Sequence, residues 1–237
     1  MAEAKPAFEW RDFPSGNALA DALADAVAAR LDAAVAARGR ASLALSGGRT
    51  PTRFFAALSK RPVAWDKVTV TLVDERCVPV ASDRSNARLV THHLLQNQAA
   101  RARFVPLFDG SSSPDTAAVK ASEAIDALPM PLDAAILGMG QDGHTASFFP
   151  DAAGIADILS GAGGAPVIAV DAPSAGEPRL SLALPVLAEA RFLALHIEGL
   201  AKKTVFEAAM AGHPATPLPV RAVIDRAAAP PDIFWSP

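Results

Sequence analysis

Strand-like and helix-like segments alternate along almost the whole of this chain of 237 residues. Short apolar runs, many of them β-branched, are separated by longer alanine-rich segments that have helical periodicity. Parallel strands require crossover connections of about this length, and such connections place helices on both faces of the sheet. The alternation therefore predicts an α/β fold, a doubly wound, mainly parallel sheet with helices on both faces, in a single domain that spans residues 1–237.

Capping residues and β-branched runs predict where individual elements begin. Ser15 or Asn17 is expected to cap the first long helix. Thr50 is expected to cap a helix that opens with Pro51 at its first position, and Ser85 to cap the next helix. The predicted strands are 41–46, 67–75, 102–107, 132–138, 165–170, 179–184 and 191–197.

Composition excludes several functional classes. A net charge of −3 and an isoelectric point near 5.9 give the chain no general attraction to nucleic acid or to an anionic membrane. Cys77 is the only cysteine, so one chain can form neither a disulfide nor a cysteine-based zinc site. No secretory signal pattern opens the sequence, and the apolar runs are too short to span a bilayer. We expect a cytoplasmic protein without nucleic-acid or membrane partners.

Four polar loops follow predicted strands, and ligands of such sheets bind where the carboxyl ends of the strands meet. The loops read "SGGRTP", "DERCVP", "GMGQDGHTAS" and "EGLAKK". In the first, glycines allow backbone N–H groups to approach an anion, and the hydroxyls of Ser46 and Thr50 can donate to phosphate oxygens. The loop has no Gly-Lys-Ser/Thr sequence, so a nucleoside triphosphate is not expected. Phosphate binding and an ordinary turn between strand and helix both remain open.

Three basic residues in the other loops are candidate anion ligands. Lys202 and Lys203 lie in the first turn of a predicted helix, where the helix dipole disfavours positive charge unless an anion is bound. Of the two, Lys202 is the preferred candidate, and solvated lysines are the alternative. Arg76 can bind a phosphate or a developing oxyanion, although an ion pair with Asp74 that fixes the loop is the simpler explanation.

The segment 137–150, "LGMGQDGHTASFFP", carries the histidine best placed for catalysis. Its glycines match the dinucleotide-binding pattern G-x-G-x-x-G, but Pro150 interrupts the helix that this pattern requires, so we exclude a dinucleotide. His144 follows Asp142 in a loop at a strand end and can act as a general base near neutral pH. Among the other histidines, His196 is interpreted as a core residue, and His213 lies in an "AGHP" turn.

Taken together, these segments resemble the 6-phosphogluconolactonase family. "LSGGRTP", "VTLVDERCVP", "SNARLV", "LDAAILGMGQDGHTASFFP", "RLSL" and "GLAKK" occur in the order and spacing of that family, from about Leu43 to the end of the chain. The resemblance implies a Rossmann-like fold of the deaminase/lactonase type. It also implies hydrolysis of 6-phosphoglucono-δ-lactone to 6-phosphogluconate in the oxidative pentose phosphate pathway, without a cofactor or a metal.

The same resemblance implies roles for particular residues of this chain. His144 is expected to activate water, with Asp142 beside it and Arg76 near the lactone oxyanion. The expected substrate and phosphate contacts are Ser46, Gly47, Gly48, Thr50, Asp74, Arg88, Gly140, Arg179 and Lys202. The expected partner is a small phosphosugar lactone, and the expected state is a monomer or a weak homo-oligomer.

Two other functions remain open. The first is a ring-opening isomerase similar to the glucosamine-6-phosphate deaminases, whose corresponding loop resembles "GIGxDGHIAFNEP"; this chain lacks that asparagine–glutamate pair. The second is a sugar-phosphate sensor without catalytic activity, for which His144 would be unnecessary.

Overall fold

A computed structural model describes residues 8–111, 113–211 and 218–237. The strands are β1 Glu9–Asp12, β2 Ala41–Leu45, β3 Val68–Leu72, β4 Asp74–Arg76, β5 Arg103–Val105, β6 Ala134–Leu137, β7 Val167–Val170, β8 Arg179–Leu182, β9 Leu193–Glu198 and β10 Asp232–Ser236. The α-helices are α1 Gly16–Arg38, α2 Thr52–Leu58, α3 Asn86–His93, α4 Pro114–Asp126, α5 Ile155–Ser160, α6 Leu184–Ala188, α7 Leu200–Ala211 and α8 Pro219–Arg226. Short 3-10 helices cover Trp65–Lys67, Asn97–Arg101 and Pro173–Ala175.

Seven parallel strands form the central sheet, in the order β1-β10-β9-β6-β2-β3-β5. Every residue of the central strands β2 and β6 is buried, as expected for strands that helices cover on both faces. The prediction of a mainly parallel α/β sheet is confirmed.

A second sheet of three antiparallel strands, in the order β4-β8-β7, was not predicted. The expected single strand 67–75 is wrong, because the chain leaves the central sheet after Leu72. Val73 joins the two sheets: its N–H donates to the carbonyl of Leu45 at 2.9 Å, and its own carbonyl accepts from the N–H of Leu182 at 2.8 Å. The acidic and basic residues that follow Val73 therefore lie on a separate small sheet.

Helix caps agree with the predictions in two cases and differ in one. The hydroxyls of Ser15 and Ser85 accept from the N–H groups of Ala18 and Arg88, at 3.3 and 3.2 Å. The expected N-cap at Thr50 is wrong, because α2 begins at Thr52 and the preceding proline already has helical backbone angles. The sequence patterns also did not indicate β1, α5, α8 and β10.

The connections that leave β2 and β6 run in opposite directions across the central sheet. From β2 the chain continues to β3 on one side, and from β6 the next strand of this sheet is β9 on the other side. Such a reversal opens a crevice beyond the carboxyl ends of the two strands.

Within the described residues, no helix combines the length and the apolar character needed to cross a membrane.

Candidate active site

A cavity of about 340 Å³ occupies this crevice. A volume of this size suits a small ligand. Ten of the twelve predicted site residues line the cavity: Ser46, Gly47, Gly48, Thr50, Asp74, Arg76, Gly140, His144, Arg179 and Lys202. Asp142 lies directly behind His144. Arg88 does not line the cavity and instead pairs with Asp83 at 3.3 Å.

His144 and Asp142 form a hydrogen-bonded pair at the mouth of the cavity. Their Nδ1 and Oδ1 atoms are 2.6 Å apart, and the backbone N–H of His144 donates to the same oxygen at 3.2 Å. An ionised carboxylate can only accept a hydrogen bond, so this contact places the proton of a neutral imidazole on Nδ1. Nε2 is then left with a lone pair that can take a proton from water.

The loop that carries His144 is held by hydrogen bonds rather than by a helix. The hydroxyl of Thr145 donates to the carbonyl of Gly138 at 2.7 Å, and the N–H of Gly140 donates to the carbonyl of His144 at 2.9 Å. No helix begins in this part of the chain until Ile155. The glycines of this loop are therefore not followed directly by a helix whose N-terminus could face a pyrophosphate.

The glycine loop after β2 and the start of α7 form another wall of the cavity. A Cβ atom at Gly47 would overlap with the side-chain amide of Asn86, so only glycine allows this close approach. Burial lowers the pKa of Lys202, while the nearby carboxylate of Glu198 acts in the opposite direction. Lys203 does not line the cavity. Its ammonium lies over the rings of Trp10 and Trp235 instead, 5.2 and 4.4 Å from the ring centroids.

Two arginines from the small sheet add positive charge to the cavity. Arg76 on β4 and Arg179 on β8 are direct partners in the antiparallel ladder. Burial lowers the pKa of Arg179, and the charge of Arg76 adds to the effect, whereas the carboxylates of Asp74 and Glu177 act in the opposite direction. Nη2 of Arg179 lies 3.4 Å from Oε1 of Glu177. Within the described residues, the Nε atoms of both have no hydrogen-bond partner. An anionic ligand would offset the cost of placing these two like charges together.

The alternative of an Asp74–Arg76 ion pair does not match the contacts of the described residues. Asp74 accepts a hydrogen bond from the hydroxyl of Ser147 at 2.7 Å. Arg76 donates instead to the carbonyl of Arg84 at 2.6 Å. Each side chain therefore has its own partner, and both still line the cavity.

The cavity lining also includes polar side chains that sequence reasoning did not assign to the site, among them Asn86 and His196. His196 was interpreted only as a core residue; it is 3% exposed, and its Nε2 lies 3.1 Å from Oε1 of Glu198. Burial lowers its pKa. A signal for His196 was present, because it lies near the carboxyl end of a parallel strand, where the other candidate residues collect.

Glu75 fixes the geometry between β4 and α3 without lining the cavity. Its carboxylate accepts hydrogen bonds from the backbone N–H groups of Arg76, Asn86 and Ala87 at 2.7–2.8 Å, and from the hydroxyl of Ser85 at 3.1 Å. Burial raises its pKa, and these four hydrogen bonds act in the opposite direction. The carboxylate therefore joins the strand that carries Arg76 to the helix that carries Asn86.

Replacing Glu75 by glutamine is expected to lower the free energy of unfolding by about 2–3 kcal/mol, because a neutral amide cannot accept from all these buried donors. The measurement is urea denaturation of the wild type and the variant. Glu123→Gln, at an exposed position on α4, is the control and should change stability by less than about 0.5 kcal/mol. Equal stability of Glu75→Gln and wild type would contradict this role.

The remaining histidines and the acidic residues do not form a metal site in the described part of the chain. No group of three or more histidine, cysteine, aspartate or glutamate side chains there could hold a metal ion. His213 lies outside the described residues.

Comparisons with known proteins agree on one family. The profile of the family "Glucosamine-6-phosphate isomerases/6-phosphogluconolactonase" matches residues 14–235. A 6-phosphogluconolactonase of Mesorhizobium japonicum is 55% identical, over 97% of this chain and 96% of that protein. One of Pseudomonas putida is 44% identical, over 98% of this chain and 94% of that protein. A crystal structure of a 6-phosphogluconolactonase from Shewanella baltica superposes with a TM-score of 0.93 at 38% identity, covering 97% of this chain and 98% of that one.

Proposed function

We propose that the substrate of this chain is 6-phospho-D-glucono-1,5-lactone and that its product is 6-phosphogluconate. The chain belongs to the glucosamine-6-phosphate isomerase/6-phosphogluconolactonase family and is a lactone hydrolase. This reaction belongs to the oxidative branch of the pentose phosphate pathway. The observation that carries the proposal is the presence, in one cavity, of a His144–Asp142 pair and several cationic side chains.

The phosphate is held by the glycine loop and α7 in this proposal. Ser46 and Thr50 provide hydroxyl donors, and Lys202 provides positive charge that is half buried. Holding the substrate at a group remote from the reacting carbon reduces the entropy lost on the way to the transition state. The lactone ring then extends toward His144 and the arginines of the small sheet.

The chemical step uses His144 as general base, with Asp142 keeping the imidazole oriented. Nε2 takes a proton from water, and the water oxygen forms a bond to the lactone carbonyl carbon. Arg76 and backbone N–H groups of the loops stabilise the oxyanion of the tetrahedral intermediate. The bond from this carbon to the ring oxygen then breaks, and the ring oxygen receives the proton from His144.

One experiment separates this proposal from the other functions considered. The purified chain is given 6-phosphogluconolactone in one assay, which records acid release, and glucosamine 6-phosphate in another, which records ammonia release. We expect acid release well above the spontaneous rate and no ammonia. Ammonia release would identify an isomerase, and phosphosugar binding without either reaction would identify a sensor.

Replacing Lys202 by methionine is expected to raise KM for the phosphorylated lactone about 10- to 100-fold while kcat changes little, because a hydrogen bond to a charged group is lost far from the reacting carbon. Lys203→Met is the matched control: it is the next residue on the same helix and contacts tryptophan rings instead. Steady-state kinetics of both variants measure the effect. Equal KM values for Lys202→Met and wild type would exclude this residue as a phosphate ligand.

A further inference from the structure

The ring of Phe149 contacts two side chains that line the cavity. Its centroid lies 4.3 Å from that of the His144 imidazole, with 34° between the planes. The guanidinium carbon of Arg179 lies over the same ring, 5.5 Å from its centroid. One aromatic ring therefore contacts both the proposed general base and a cation that comes from the other sheet.

Phe149 is itself firmly held. It is 4% exposed and packs in a small apolar cluster with Ala152, Val170, Ala172 and Ala175, separate from the main core. The same cluster supports the cation, because Nη2 of Arg179 donates to the carbonyl of Ala175 at 2.8 Å. The Phe149 ring and the Arg179 guanidinium are therefore both held by contacts with this one cluster.

The hydrogen bond of His144 does not reach beyond its own loop. Asp142, its hydrogen-bonding partner, belongs to the same loop and can move together with it. The contact with Phe149 instead packs the imidazole against the small apolar cluster. That cluster is in turn bonded to β8 through Arg179, which donates to the carbonyl of Ala175. Contact between two rings, and a cation over the face of an aromatic ring, are both favourable interactions.

We propose that Phe149 is a positioning residue for catalysis, which fixes the His144 imidazole relative to the Arg179 guanidinium. The proposal rests on the proposed function, because it concerns how the general base of that reaction is oriented. Without the ring, His144 keeps its bond to Asp142 but loses its fixed position over the bound lactone.

Phe149→Leu tests the proposal, with Phe148→Leu as the matched control. Phe148 is the preceding residue, is fully buried, and packs in the main core. We expect Phe149→Leu to lower kcat about tenfold, with KM for the lactone within about twofold of wild type, because a small displacement of the base affects the chemical step more than binding. Phe148→Leu should lower the melting temperature and leave kcat within about twofold of wild type.

A spectroscopic measurement reports the contact itself. The imidazole proton signals of His144, assigned by their absence in His144→Ala, are expected to move downfield in Phe149→Leu, because the ring-current shift of a phenyl ring 4.3 Å away is removed. They should stay in place in Phe148→Leu. Unchanged signals, or equal kcat values for the two leucine variants, would overturn the positioning role. Absence of turnover in the wild type would instead refute the proposed function, and the signals would still report on the contact.

Discussion

Replacing His144 by alanine is expected to lower kcat for lactone hydrolysis by about a thousandfold, within the range that general-base catalysis contributes. The side chain contacts Asp142 and lines the cavity, whereas the proposed phosphate ligands lie on other loops. The dissociation constant of the product 6-phosphogluconate is therefore expected to change by less than about threefold. Stopped-flow acid release and calorimetric titration measure the two quantities.

His92→Ala is the control for this prediction, because His92 is exposed on α3 and does not line the cavity. It should retain wild-type kcat and affinity. A His144→Ala variant that keeps most of its turnover would exclude this side chain as the base. A variant that loses both turnover and product binding would show that His144 anchors the ligand, contrary to the proposal.

Replacing Gly140 by alanine is expected to lower kcat about a hundredfold, because a displaced catalytic group loses its alignment with the substrate. A Cβ atom at Gly140 would overlap with the imidazole of His144 and with the carboxylate of Asp142. The two side chains would have to separate or move together out of the cavity. The measurement is kcat for lactone hydrolysis, accompanied by a melting curve that shows that the variant is folded.

Gly138→Ala provides a matched control from the same loop. The nearest atom to a Cβ at Gly138 would be Cβ of Ser46 at 4.0 Å, which is an ordinary contact distance. This variant should keep kcat within about threefold of wild type. Similar losses in the two alanine variants would mean that the loop tolerates no side chain anywhere, and the specific role given to Gly140 would be wrong.

Local patterns in the sequence were sufficient to predict the fold class, with its mainly parallel central sheet. The alternation of short apolar runs with alanine-rich helices indicated the parallel sheet, and the structure confirms it. The rule that ligands bind beyond the carboxyl ends of strands then predicted which loops would meet. Ser46, His144 and Lys202 come from three such loops and do line one cavity.

Features that depend on pairing between distant segments were not predictable. The pairing of Asp74 with Ser181 creates the small sheet, and no local pattern distinguishes its strands from those of the central sheet. The contact of Phe149 with Arg179 depends on that sheet, so it could not be predicted from local sequence patterns either. Arg88 was placed in the site from its motif, but it lies on α3 and pairs with Asp83.

The most direct test of the central claim is a ¹³C NMR time course with 6-phosphogluconolactone labelled at the lactone carbonyl. The claim is that His144 catalyses hydrolysis of the δ-lactone in this cavity. With wild-type protein, the δ-lactone signal should convert to the carboxylate signal at a rate proportional to enzyme concentration, and with His144→Ala the rate should approach the spontaneous one. A wild-type rate equal to the spontaneous rate, or equal rates for the two proteins, would contradict the claim.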